Sequence, residues 1–115
     1  MFSIKHLIVL FGNGDMRNDN IVDAIGNTPL VELSSFSPRS GVRIFEKLES
    51  QNPTGSVKDR IARAMVRAAE KDGILSHEKT IIEPTSGNTG ISLAMVTRRL
   101  GYRFTAVMPE NVGIE

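Results

Sequence analysis

The sequence predicts an α/β fold with a parallel sheet. A β-branched run at 80–83, an apolar helical pattern at 88–100 and a second β-rich run at 103–108 follow one another at the spacing of a strand–helix–strand unit. Such a unit joins parallel strands through a right-handed crossover. Parallel strands are ordinarily covered on both faces, which implies a three-layer architecture. One such unit and a few flanking elements cannot cover both faces, so the 115 residues read as a piece of a larger α/β protein.

Residues 1–20 differ from the rest. The apolar run Leu7-Ile8-Val9-Leu10-Phe11 passes into a polar stretch, Gly12 to Asn20, which reads either as a strand and turn or as a frayed terminus. Met16 opens a run that also reads as a natural protein beginning. The structured text starts at Ile21. Ile21 to Ile25 form a short helix or extended segment ended by Gly26. Asn27-Thr28-Pro29 signals a turn, and Pro29 pushes Thr28 toward extended geometry. Leu30 to Leu33 is a short strand, Ser34 to Gly41 a surface loop, and Val42 to Phe45 a strand continuing to Leu48. After the loop Ser50 to Gly55, Ser56 is the expected N-cap of a helix, with Asp59 at capping-box spacing. Ile61, Ala64, Met65 and Ala68 share one face of that helix and are its predicted core side. Arg60, Arg63, Arg67 and Lys71 take the solvent side, and Gly73 ends the helix. Thr80-Ile81-Ile82 has the mark of a buried strand. Pro84 to Gly90 is a loop. Ile91 to Leu100 is a helix apolar on nearly all sides and expected to be well buried, stopped by Gly101. Phe104 to Met108 is a strand ended by Pro109.

Composition excludes several functions. Fourteen basic residues against thirteen acidic ones give a net charge of +1, without the basic patch that nucleic acid needs. Aromatic residues at 5% make a poor base-stacking platform. The absence of cysteine rules out disulfides and thiolate metal sites, and His6 and His77 stand too far apart to suggest a metal cluster. The Leu7–Phe11 run falls well short of the ~20 residues of a membrane span. A soluble cytoplasmic protein is expected. Gly12-x-Gly14 lacks the third glycine of a dinucleotide fingerprint, and neither a Walker motif nor a Gly-x-Ser-x-Gly elbow is present.

Two segments remain, each where a loop feeds a helix. In the first, Asn52 to Arg60, Lys58 falls in the opening turn. There the positive end of the helix dipole disfavours a cation and favours the neutral amine that Schiff-base chemistry needs. The alternative is a solvated lysine paired with Asp59 or another carboxylate. In the second, Glu83 to Gly90, the glycines admit close approach of a ligand. Thr85, Ser86 and Thr89 offer hydroxyls, and the helix N-terminus offers free N–H groups to a carboxylate or phosphate. The alternative is an ordinary capped helix start. Together, an activated amine and a carboxylate cradle suit an aldehyde cofactor and an amino-acid substrate.

The sequence resembles the cysteine synthase and cystathionine β-synthase family of pyridoxal-phosphate enzymes. The likeness runs from about Ile21 to Glu110 and rests on Gly26-Asn27-Thr28-Pro29-Leu30-Val31, Lys47-Leu48-Glu49, Asn52 to Arg60, Glu83 to Gly90 and Met108-Pro109-Glu110. By that resemblance Lys58 bonds the aldehyde of pyridoxal 5'-phosphate and moves the substrate Cα proton. Asn88 hydrogen-bonds the cofactor's ring hydroxyl, and Thr85, Ser86, Asn88 and Thr89 grip the substrate carboxylate. Thr-Ser-Gly-Asn-Thr is the form seen in β-replacement enzymes, whereas serine and threonine dehydratases tend to read Ser-Ser-Gly-Asn-His. The implied reaction eliminates acetate from O-acetylserine and adds sulfide to the aminoacrylate, giving cysteine. The alternatives are cystathionine β-synthase-like activity and a catalytically inactive fragment. A homodimer, without nucleic-acid or membrane partners, is also implied. The chain departs from the family pattern as well. It lacks the Gly-rich loop for the cofactor phosphate and the Ser for the pyridine nitrogen, and Gly113 stands where a Ser is common. Residues 1–20 are then an unmatched extension, and 21–115 the N-terminal portion of a two-domain enzyme.

Overall fold

A computed structural model describes residues 18–111. The Leu7–Phe11 run, Met16 and Gly113 lie outside the described residues.

Strands β1 (Leu30–Glu32) and β2 (Phe45–Lys47) pair antiparallel, with Leu30 opposite Lys47 and Glu32 opposite Phe45. The N–H of Leu33 donates to the Ile44 carbonyl and that of Leu48 to the Pro29 carbonyl, so the ribbon extends a residue beyond each regular end. Both strands are shorter than predicted, because 3-10 turns at Ser34–Phe36 and Glu49–Gln51 bend the chain away.

Helix α1 (Lys58–Lys71) follows, then β3 (Thr80–Pro84), helix α2 (Asn88–Leu100) and β4 (Arg103–Val107). β3 and β4 pair parallel, with Thr80 opposite Arg103 and Pro84 opposite Val107. This is the predicted strand–helix–strand unit. Both helices close with the same device. Gly73 and Gly101 take left-handed backbone (φ 67° and 82°). The next N–H groups, of Ile74 and Tyr102, reach back to the carbonyls of Ala69 and Thr97.

α1 packs against α2, and α2 against β4. The core between them is Val22, Ile25, Ala62, Val66, Leu93 and Val96, with Ile81 and Phe104 against it from the strands. Val22 and Ile25 thus tie the turns at 20–25 to the helix layer.

Three expectations change. First, α1 buries Asp59, Ala62 and Val66, whereas Ile61, Ala64, Met65 and Ala68 are exposed. The helix carries apolar residues on two sides, and the side bearing Asp59 meets α2 because that carboxylate has partners there. Arg60 and Arg63 likewise leave the solvent side: Arg63 donates to the Ile25 carbonyl at 2.7 Å. Second, Ser56 caps the helix start without the capping box, because the Asp59 carboxylate turns to Thr54 and Ser92. Val57 already has helical backbone (φ −57°, ψ −20°), and Ser56 Oγ accepts from the Lys58 N–H at 3.1 Å. Third, β3 alternates. Ile81 and Glu83 are half-buried, while Ile82 is 64% exposed, because helices cover one face of the strand pair among the described residues. α2 is similarly one-sided: Ser92, Leu93, Val96 and Thr97 are buried, while Ile91 and Ala94 are exposed.

Candidate active site

The ground under Lys58 is a polar knot that local patterning does not reveal. The Arg60 guanidinium grips both oxygens of Glu49, Nε to Oε2 at 2.8 Å and Nη2 to Oε1 at 2.9 Å. The Thr28 hydroxyl donates to Glu49 Oε1 at 2.7 Å and accepts from Arg60 Nη2 at 3.0 Å. Asn52 Nδ2 donates to Glu49 Oε2, and Asn52 Oδ1 accepts from the Gly26 N–H at 2.9 Å. Lys47 Nζ donates to the Thr28 carbonyl at 2.8 Å. Gly26 takes left-handed backbone (φ 91°), which favours glycine, and a Cβ there would stand 3.0 Å from Arg60 Nη1. Arg60, and after it Thr28, hold the Glu49 carboxyl down at about 2, from an ordinary 4.5. Three of the sequence blocks, 26–31, 47–49 and 52–60, thus meet in one cluster that fixes where α1 begins.

Lys58 is the first residue of α1 and is half-buried. Its amine makes no hydrogen bond or ion pair among the described residues. The pairing with Asp59 does not form, because Asp59 is fully buried and turned elsewhere. Its Oδ2 accepts from the Thr54 N–H at 2.8 Å, and its Oδ1 accepts from the hydroxyls of Thr54 and Ser92, the latter at 2.6 Å. Ser92 belongs to the early part of α2, so Asp59 joins the starts of the two helices.

α2 opens at Asn88 after Gly87, with no side-chain cap. Thr85 Oγ1 accepts from the Gly90 N–H at 3.0 Å, and the Thr85 N–H donates to the Val107 carbonyl at 2.9 Å. Gly90 serves Thr85 rather than a ligand, since a Cβ on Gly90 would stand 2.8 Å from Thr85 Cγ2. At Gly87 a Cβ would meet nothing within 4 Å, so the space before the helix is open. The N–H groups of Asn88 and Thr89 have no backbone partner among the described residues. They point the positive end of α2 outward, as an anion site requires. A cleft of about 390 Å³ opens alongside, lined by Thr85, Ser86, Gly87 and Gly90 and by the apolar Ile91, Ala94, Phe104, Ala106 and Met108. Thr85 and Ser86 therefore share a cleft. Asn88, Thr89 and Lys58 do not line it and are connected to it through α2 and the Asp59–Ser92 bond.

These residues fit the aldehyde and carboxylate ends of a pyridoxal-phosphate site: a free amine at one helix start, and open N–H groups with hydroxyls at another. A model of the pyridoxal-phosphate dependent enzymes matches residues 21–115, and the chain belongs to that family. Its relatives narrow the kind. A cysteine synthase from a Flavobacterium species is 51% identical over 100 residues, which is 87% of this chain and 32% of the relative. The crystal structure of cysteine synthase from Entamoeba histolytica superposes with a TM-score of 0.81 at 42% identity, covering 95% of this chain and 33% of that one. An O-acetylserine dependent cystathionine β-synthase from Helicobacter pylori gives 0.74 at 38% identity, over 85% and 33%. The chain thus spans about a third of the length of the relatives it matches.

Proposed function

We propose that this chain is the N-terminal part of a β-replacement enzyme that makes cysteine from O-acetylserine and sulfide. One observation carries the reading. In the block Asn52 to Arg60, every polar side chain except Lys58 has a hydrogen-bond partner among the described residues. The likeness to cysteine synthases supports the choice of reaction.

When bound, pyridoxal phosphate supplies an aldehyde and an electron-withdrawing ring that stabilises negative charge at the substrate Cα. Lys58 would hold that aldehyde and would carry the Cα proton during the exchange. Asn88 would hydrogen-bond the ring hydroxyl. Thr85, Ser86, Asn88 and Thr89 hold the substrate carboxylate through hydroxyls and the N–H groups of α2. The Helicobacter relative favours a second reading, in which the same half-site serves a thiol acceptor larger than sulfide. Residues 1–115 alone are proposed not to catalyse, since their ten glycines form no clustered loop to hold a phosphate. A cytoplasmic homodimer belongs to the same proposal. Among the described residues no helix is long and apolar enough to cross a membrane.

The test is borohydride reduction of the cofactor-loaded full-length protein, followed by peptide mapping. Cofactor fixed on Lys58, with Lys58→Ala abolishing cysteine formation, is expected. Cofactor fixed on Lys47 or Lys71 instead overturns the assignment.

A further inference from the structure

A buried carboxylate is costly unless hydrogen bonds hold it. Asp59 is fully buried beside Lys58 and has no cationic partner among the described residues. Its bonds come from the N–H and hydroxyl of Thr54, in the loop before α1, and from the hydroxyl of Ser92, itself fully buried on α2. The partners therefore reach across two elements, and both are the elements that present the proposed site. Thr54 sets the approach to Lys58. Ser92 lies one turn into the helix whose N-terminus carries Asn88 and Thr89. The polar knot of Glu49 and Arg60 fixes α1 to the preceding ribbon but makes no bond to α2.

We infer that Asp59 is a positioning residue: it locks the start of α1 to the start of α2, so that the Lys58 amine and the 85–89 loop face one ligand. This rests on the proposed roles of Lys58 and that loop. Substituting Asp59 leaves the lysine and the loop chemically intact and removes the tie between them. Asp59→Ala strands three donors. Asp59→Asn can still accept from the Thr54 N–H and donate to the two hydroxyls, so it recovers part of the tie. Ser92→Ala removes the bond between helices, with the 3.3 Å contact of the Ser92 hydroxyl to Thr54 Oγ1, and leaves the bonds of Asp59 to Thr54 in place.

The experiment compares the full-length protein with Asp59→Ala, Asp59→Asn, Ser92→Ala and a control, Val66→Ala. The control loosens the same helix pair through its apolar core. Pyridoxal phosphate is titrated, Lys58-bound cofactor is quantified after reduction, and hydrogen exchange is followed in peptides covering 54–60 and 88–92. Loss of hydrogen bonds to a charged group corresponds to roughly ten- to a hundredfold in affinity. Loading of Lys58 is expected to weaken by that amount in Asp59→Ala, by about tenfold in Ser92→Ala, and less in Asp59→Asn. Exchange should rise selectively in the two peptides. Val66→Ala should lower the melting point without weakening Lys58 loading. If wild type loads a lysine other than Lys58, the reading of the site falls, and this inference with it. If wild type loads Lys58 and Ser92→Ala and Asp59→Ala load it equally well, or if Val66→Ala weakens loading as much, the positioning role alone is overturned.

Discussion

Gly90→Ala sets two effects of known sign against each other. Alanine is favoured over glycine inside a helix by about 1 kcal/mol, so substitution in α2 should stabilise if nothing intervenes. At Gly90 the new methyl would stand 2.8 Å from Thr85 Cγ2 and 3.3 Å from Thr85 Oγ1. Thr85 cannot yield cheaply. Its β-branched side chain is stiff at χ1, and rotation would give up the bond that Oγ1 accepts from the Gly90 N–H at 3.0 Å. Overpacking of this kind costs about 1–3 kcal/mol, which outweighs the helix gain. Gly90→Ala should therefore be destabilising by roughly 0–2 kcal/mol, the difference of the two terms. Thr85→Ser removes the nearer atom and keeps the acceptor. The double variant should then be more stable than Gly90→Ala alone, with a coupling energy of about 1–2 kcal/mol in a denaturation cycle. Amino-acid binding should follow the same order, because the displaced group is one of the proposed carboxylate ligands. A Gly90→Ala protein more stable than wild type by the full helix increment, with no coupling to Thr85→Ser, would refute the packing argument.

Two further outcomes are expected. Glu49 has its carboxyl lowered to about 2 from 4.5 by Arg60 and Thr28. Its contribution is thus complete above pH 4.5 and fades as the pH falls from 4.5 toward 2. In acid titrations followed by circular dichroism, Glu49→Gln should be less stable at neutral pH and flatter across that window; parallel wild-type and variant curves would contradict this. Thr89→Ala should weaken amino-acid binding roughly ten- to a hundredfold while leaving cofactor binding intact. Spectral titration measures this, and an unchanged amino-acid titration would return the loop to plain helix capping.

The parallel unit was legible because its signals are local. β-branched and β-rich runs mark β3 and β4, and Gly73 and Gly101 stand where left-handed caps are needed. The buried face of α1 was not. Ile61, Met65 and their neighbours satisfy helical periodicity as well as Ala62 and Val66 do, and a carboxylate on the second face argues against choosing it. Only the placement of Thr54 and Ser92 around Asp59 makes that face the buried one, and neither is recognisable as a partner from spacing along the chain. The same limit hid the knot of Thr28, Glu49, Asn52 and Arg60, whose bonds link segments as much as 32 positions apart. The available signal was an acidic and a basic residue without helical spacing, Glu49 and Arg60, in neighbouring sequence blocks.

The site itself was legible to a different degree at each end. At Lys58 the proposed role comes from the resemblance, and the hydrogen-bond accounting is compatible with it. Folding engages Asn52, Thr54, Ser56, Asp59 and Arg60 in bonds within the chain and leaves the amine between them free. At the 85–89 loop the accounting divides the residues. Thr85 is committed to Gly90 and β4, so its hydroxyl has less to offer a ligand than the sequence suggested. Ser86, Asn88 and Thr89 keep their side chains free among the described residues. The carboxylate contact should therefore depend more on Thr89 than on Thr85, which is why Thr89→Ala is the sharper probe of the loop, and Thr85→Ser is better suited to testing its packing.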